Sequence, residues 1–117
     1  MRGIDDLTLG EIKQLTNLFG RGAMNDCPGP WKIGQVYFIR TVTHHLSGRL
    51  IEVWPNELVL EDAAWIADDG RYHQCIADGA SAMLDIEPLP DGKTMVIGRG
   101  ALIDAVPVAW DPPREVK

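Results

Sequence analysis

The chain has 117 residues, 45% of them hydrophobic, which is enough apolar material for one domain around a single core. Eleven basic against seventeen acidic side chains leave a net charge of −6. That balance argues against a partner such as duplex DNA, where affinity comes mainly from Lys and Arg meeting phosphates. No run of eighteen apolar residues is present, and the opening MRGIDDLTLGE lacks an apolar signal region, so no membrane segment or secretory leader is expected.

Leu7–Gly20 carries the signs of a helix. Thr8 and Glu11 have capping-box spacing, and Leu9, Ile12, Leu15 and Phe19 recur at three and four to make one apolar stripe, with Gly20 as the stop. Residues 20–35 are dense in Gly and Pro and read as loop. Strands then follow over Val36–His45, Leu46–Trp54 and Glu57–Ile66, the last two joined at the Pro55-Asn56 turn. Val36 and Phe38 fall on one face of the first strand and Tyr37 and Ile39 on the other, so it is expected to be buried on both sides. Gly48, inside the second strand, marks a bend or bulge.

Residues 68–92 are the least regular, with a helical turn or two expected between Tyr72 and Leu84 and loop elsewhere. Two short strands, Thr94–Ile97 and Ala101–Val106, flank Gly98-Arg99-Gly100, and the tail over 107–117 is broken by prolines. Cys27 and Cys75 lack CxxC spacing and are expected as reduced, buried, intracellular thiols, a disulfide being the alternative.

One helix followed by five short strands, bent at a glycine in the second, is the order of a small β-barrel. VYFIRTVTHHLSGRLIEV, with Leu46-Ser47-Gly48, resembles the first motif of the Sm-like proteins, which include bacterial Hfq. WPNELVLEDA is similar to the strand that follows in that family, and MVIGRGALIDAV to its second motif, although Gly98 intrudes between Ile97 and Arg99. The whole chain, especially YFIRTVTHHLSGR and LEDAAWIADDGR, is also similar to a family of small proteins of tailed phages and prophages. The resemblance implies a mainly β fold with an N-terminal helix: a five-stranded, strongly bent Sm-like (SH3-like) barrel. As a single domain over 1–117, it would comprise the helix at 7–20, the first motif at 36–66, an insertion at 68–92, the second motif at 94–106 and the tail. It further implies a homo-oligomeric ring, a hexamer for example, because neighbouring copies pair through open edge strands.

Rings of this kind hold nucleotides at subunit boundaries, and the candidate ligand residues follow from that. They are Arg40, Thr41, Thr43, His44, His45 and Arg49 around the first hairpin, Trp65 as a stacking surface, and Arg99 between its glycines. Arg40 could instead form a salt bridge with Glu52, Glu57 or Glu61, and Arg99 could instead brace its turn. His44 and His45, adjacent on a strand, would point to opposite faces and could not share a metal.

No catalytic motif and no zinc or EF-hand spacing occurs, so neither an enzyme nor a metal or other cofactor is expected. The leading expectation is a non-enzymatic phage-type ring in the cytoplasm of a bacterial host, sequestering a small anionic nucleotide-derived ligand such as a cyclic nucleotide or an ADP-ribose immune signal. The alternative is a virion component or a protein that docks on a host protein. Hfq-like RNA binding stands third, because of the acidic charge.

Overall fold

The computed structural model describes residues 29–117. The helix expected over Leu7–Gly20, most of the loop after it and Cys27 lie outside the described residues. Three strands form a meander: β1 (Val36–Thr41), β2 (His45–Val53) and β3 (Glu57–Asp68). A short helix, α1 (Tyr72–Asp78), and a 3₁₀ turn (Gly79–Ala82) come next. They lead into β4 (Asp85–Pro88), β5 (Thr94–Gly98), a second 3₁₀ turn (Arg99–Ala101) and β6 (Leu102–Val108). All pairings are antiparallel and the order is β4-β3-β2-β1-β6, with β5 also on β3.

The sheet is strongly bent, as expected, and the bend has a clear local cause. Opposite Gly48 the register of β2 and β3 slips, so that Asp62 and Ala63 together face one residue. Asp62 takes up the extra length in the left-handed region at φ 53°, which a short polar side chain tolerates. A Cβ on Gly48 would lie 2.9 Å from Leu60 Cβ and 3.3 Å from Ala63 Cα, so the two strands cross here at a distance only glycine allows. Arg49 fastens the bulge, donating to Asp62 at 3.0 Å and reaching Glu61 at 3.4 Å.

Curling the sheet buries β1 on both faces. Phe38 and Val36 join Ala64, Ile66, Cys75, Met83, Ile86 and Val108 in one apolar cluster. Tyr37 and Ile39, on the opposite face, are buried as well. Burying each such large side chain is worth about 1.5–3 kcal/mol, so these four positions of β1 are a sizeable part of the core.

Three expectations need correction. The described residues hold six strands rather than five, because the strand along the outer side of β3 is broken in two. β4 pairs with the C-terminal half of β3 and β5 with its N-terminal half, and residues 89–93 loop out between them. The loop expected over the end of the 68–92 segment is therefore partly strand: Asp-Ile-Glu-Pro has little β propensity, and the unpaired ladder of β3 overrides it. Third, the first strand stops at Thr41, not at His45. There the Thr41 hydroxyl donates to the His44 carbonyl at 2.8 Å and accepts from the His44 N–H at 3.1 Å, which closes a tight loop.

The helical turns expected between Tyr72 and Leu84 are α1 and the 3₁₀ turn, and they close the end of the apolar cluster. The helix stops at Gly79, whose φ of 73° and ψ of −138° suit only glycine. The Trp110 ring packs against Gly79, its nearest atom 2.7 Å from where a Cβ would sit, and the indole N–H donates to the Ile76 carbonyl at 2.9 Å. Cys75 is a fully buried free thiol, and burial, with a smaller push from Asp69, raises its pKa to about 11. Since the thiolate is the reactive form, Cys75 is expected to resist thiol reagents in the native protein and to react once denaturant unfolds it. Mass mapping of the alkylated residue checks this; rapid native labelling at Cys75 would contradict it.

Candidate functional site

The bend at Gly48 brings the two loops at either end of β2 together. The β2–β3 turn is closed by the Trp54 N–H donating to the Glu57 carbonyl at 2.8 Å. β5 ends opposite it with Gly98 beside Glu57, and the next residue, Arg99, donates its backbone N–H to the Asn56 carbonyl at 2.9 Å. Two residues further on, the Ala101 carbonyl accepts from Val42 N–H, in the β1–β2 loop, at 2.9 Å. Two residues span at most about 7 Å, so the Arg99–Ala101 turn clamps both loops into one rim.

Arg99 is the exceptional side chain on this rim. Its Nε and Nη2 are buried and have no hydrogen-bond partner among the described residues. A buried, unsatisfied donor on a charged group costs 1–3 kcal/mol or more, and its planar fork is suited to an incoming phosphate or carboxylate. The glycines on either side have no structural need to be glycine. Neither has a positive φ, and a Cβ on Gly98 or Gly100 would meet nothing within 4 Å. The backbone on either side of Arg99 is thus open to an approaching group, while the Nε and Nη2 donors lie beneath the surface. Gly98→Ala and Gly100→Ala are expected to leave the melting temperature unchanged or raise it slightly, each adding up to about 1 kcal/mol by restricting the unfolded chain. They would weaken any ligand that presses against the turn, and thermal melts paired with a binding titration separate the two effects.

The other sequence candidates divide into two groups. Arg40 and Arg49 have their donors taken by carboxylates. Arg40 meets Asp104 on β6 through both Nε, at 2.9 Å, and Nη2, and lies 5.6 Å from the centre of the Tyr72 ring. The salt bridge foreseen for Arg40 is therefore present, but with Asp104 rather than Glu52, Glu57 or Glu61. By that hydrogen bond Arg40 holds the Asp104 carboxyl below its usual range. The pair's contribution to stability is present at neutral pH and disappears in acid as Asp104 protonates; since both groups are well hydrated it is small. Thr41 is used by its own loop.

Thr43, His44, His45 and Trp65 come together at a second place, with Ile66 and Ala67, around a cleft of about 210 Å³. His44 stands edge-on to Trp65 with ring centres 6.1 Å apart, and its Nδ1 lies 2.9 Å from the Thr43 hydroxyl. His45 also lines the cleft, but its Nδ1 is 3.1 Å from Asp69 and its ring sits edge-on to Phe38 at 5.6 Å. The adjacent histidines thus have different partners, His44 in the loop before β2 and His45 at its first position. Trp65 keeps 42% of its surface exposed, so one wall of the cleft is an open aromatic ring.

Trp54 and Asn56 were not among the sequence candidates for ligand binding, yet the structure places both on the rim beside Arg99. Trp54 is 42% exposed, with its indole N–H donated to Glu52 at 2.8 Å. The signal available for them was the Pro55-Asn56 turn itself, which reads as plain hairpin chemistry until its neighbour in space is known.

No protein-family model matches the chain, and no curated protein matches it. Solved structures do. A heptameric archaeal Sm protein, described with its implications for the eukaryotic snRNP core, is 23% identical, over 66% of this chain and 90% of that one, with a TM-score of 0.45. The P. aerophilum SmAP1 heptamer is 23% identical, over 67% of this chain and 84% of that one, with a TM-score of 0.44. The order of the strands, the bend in the second and the broken outer strand describe a small, strongly curled antiparallel sheet, and the likeness to these structures is one of fold.

Proposed function

We propose that the protein is a self-associating, non-catalytic binding protein that takes up nucleotide units, in single-stranded RNA or free, on the rim around Arg99. The observation that supports this reading best is the pair of partnerless donors on Arg99, Nε and Nη2, held in a turn clamped between two loops, with the glycines on either side facing open space. A phosphate would satisfy the stranded donors, and the exposed Trp54 on the adjoining turn offers a face for a base. An open rim suits a nucleotide in a passing strand better than a small molecule enclosed for sequestration, since small-ligand sites bury most of their ligand. This reverses the order expected from charge alone. The net charge of −6 then limits binding to local contacts at the rim instead of a long basic groove.

Self-association rests on the sheet's two edges. β5 on one side and β6 on the other have no outer strand among the described residues. Val96 on the first and Ile103 on the second are 63% and 61% exposed. Two open, complementary edges on one chain favour head-to-tail pairing between copies, which closes into a ring when the rotation allows.

Fluorescence-polarisation titrations with labelled oligo(U) and oligo(A), competed by free mononucleotides and by ADP-ribose, test the ligand. The reading expects saturable binding of RNA with a shallow salt dependence. Competition by free nucleotides at similar concentrations would favour the small-ligand form of the same site, and no binding in either arm would overturn it. Sedimentation equilibrium tests assembly; a monomer at all concentrations would contradict it.

A further inference from the structure

We infer that the C-terminal segment, residues 111–117, is a strap that occupies the outer edge of β4 and thereby restricts pairing with a second copy of this chain to β5. The inference rests on the self-association proposed above and concerns how much of the edge is available for it.

The geometry begins at Ile86. Its neighbours along β4 alternate in direction, so the backbone groups of Ile86 point away from β3, toward the outer side. There the Ile86 N–H donates to the Lys117 carbonyl at 3.0 Å, and the Lys117 N–H donates back to the Ile86 carbonyl at 3.0 Å. This reciprocal pair is one rung of an antiparallel ladder, the contact an added strand would make. Pro88, the other outward position of β4, has no N–H to offer. The outer edge of β4 is therefore already closed by the chain itself.

Two polar anchors hold the strap in place. Arg114 reaches the loop that breaks the outer strand, donating to Asp91 at 2.6 Å and to the Leu89 carbonyl at 3.4 Å, and lies 3.8 Å from the Asp62 carboxylate at the bulge. Lys117 Nζ donates to the carbonyls of Ala80, at 2.9 Å, and Ser81, at 3.3 Å. Between the anchors the segment bridges a cleft of about 480 Å³ instead of filling a core. Pro112 and Pro113 are buried and root the segment, whereas Arg114–Lys117 are exposed; exposed hydrogen bonds over an open cleft, as these last four residues make, belong to the parts of a fold that open at low cost.

The strap thus closes the β4 half of an outer edge that the 89–93 loop already interrupts. With it closed, five residues, Thr94–Gly98, remain for a partner strand; with it displaced, β4 is added to them. The occupant that fits is the β6 edge of a second copy, the other unpaired edge among the described residues. Closing the β4 half guards against indiscriminate edge pairing, a hazard that exposed strands carry.

The test uses the whole 117-residue chain carrying Arg114→Ala and Lys117→Pro, which remove both anchors and the strap's N–H donor to the Ile86 carbonyl. Hydrogen exchange at Ile86 reports opening of the strap, and sedimentation equilibrium reports association. The expected result is at least tenfold faster exchange at Ile86, with half-association at a several-fold lower concentration than the parent chain. Faster exchange with association unchanged or weakened would overturn the inference. Unchanged exchange would also overturn it, because the strap would not be held by these contacts. A parent chain that associates while the variant gains nothing leaves the self-association reading intact and removes only the strap. Two monomers remove both.

Discussion

Gly48→Val is expected to destabilise the protein by about 3 kcal/mol, at the upper end of the usual cost of overpacking. The first added atom alone would lie 2.9 Å from Leu60 Cβ, 3.1 Å from Leu60 Cδ1 and 3.3 Å from Ala63 Cα. Leu60 is fully buried and Ala63 contributes backbone, so neither neighbour can swing aside. Relief requires β2 and β3 to separate at the bulge where Arg49 and Arg114 converge on Asp62. Because whole domains are stable by only about 5–15 kcal/mol, a loss of this size is easily read in a urea melt. The bend also brings the two loops to the Arg99 turn, so nucleotide binding should fall with it, even at temperatures where the variant is folded. A variant that melts like the parent would show that the bend does not depend on this close crossing.

Arg99→Ala should show the opposite signature. Its guanidinium donors contribute no hydrogen bond to the fold, so removing them is expected to leave the melting temperature unchanged or to raise it. Binding of single-stranded RNA or free nucleotide should fall by about 10–100-fold, the range for losing a charge-assisted hydrogen bond of about 1.5–3 kcal/mol. Arg49→Ala provides the contrast: with its donors on Asp62 and Glu61, it should lower stability and leave affinity at the rim largely intact in the folded protein. Polarisation titrations and thermal melts on the same three proteins distinguish these cases. Equal loss of binding in both arginine variants would remove Arg99 from its special place.

Much of the fold was legible because its signals are local. Alternation along Val36–Ile39 marked a strand buried on both sides, and Gly48 and the Pro55-Asn56 turn placed the bend and the hairpin. The site was less legible. Arg40, Arg49 and Arg99 look alike in sequence, each beside apolar residues, and nothing local reveals that two of them meet carboxylates. Asp104 lies 64 residues from Arg40, and the Asp62 that binds Arg49 depends on a register slip. Trp54 and Asn56 were passed over because a hairpin turn acquires meaning only from what crosses above it.

The pattern of apolar and turn residues by itself determined that the chain would make short, sharply bent strands, since side-chain alternation and glycine's freedom act within a few residues. Tertiary structure alone decided which arginine keeps its donors free, that an acidic, proline-containing segment becomes β4, and that the tail closes the edge of that strand. Hydrogen-bond partners and ladder vacancies arise between segments distant in sequence, and they exist only once the sheet has curled and brought those segments into contact.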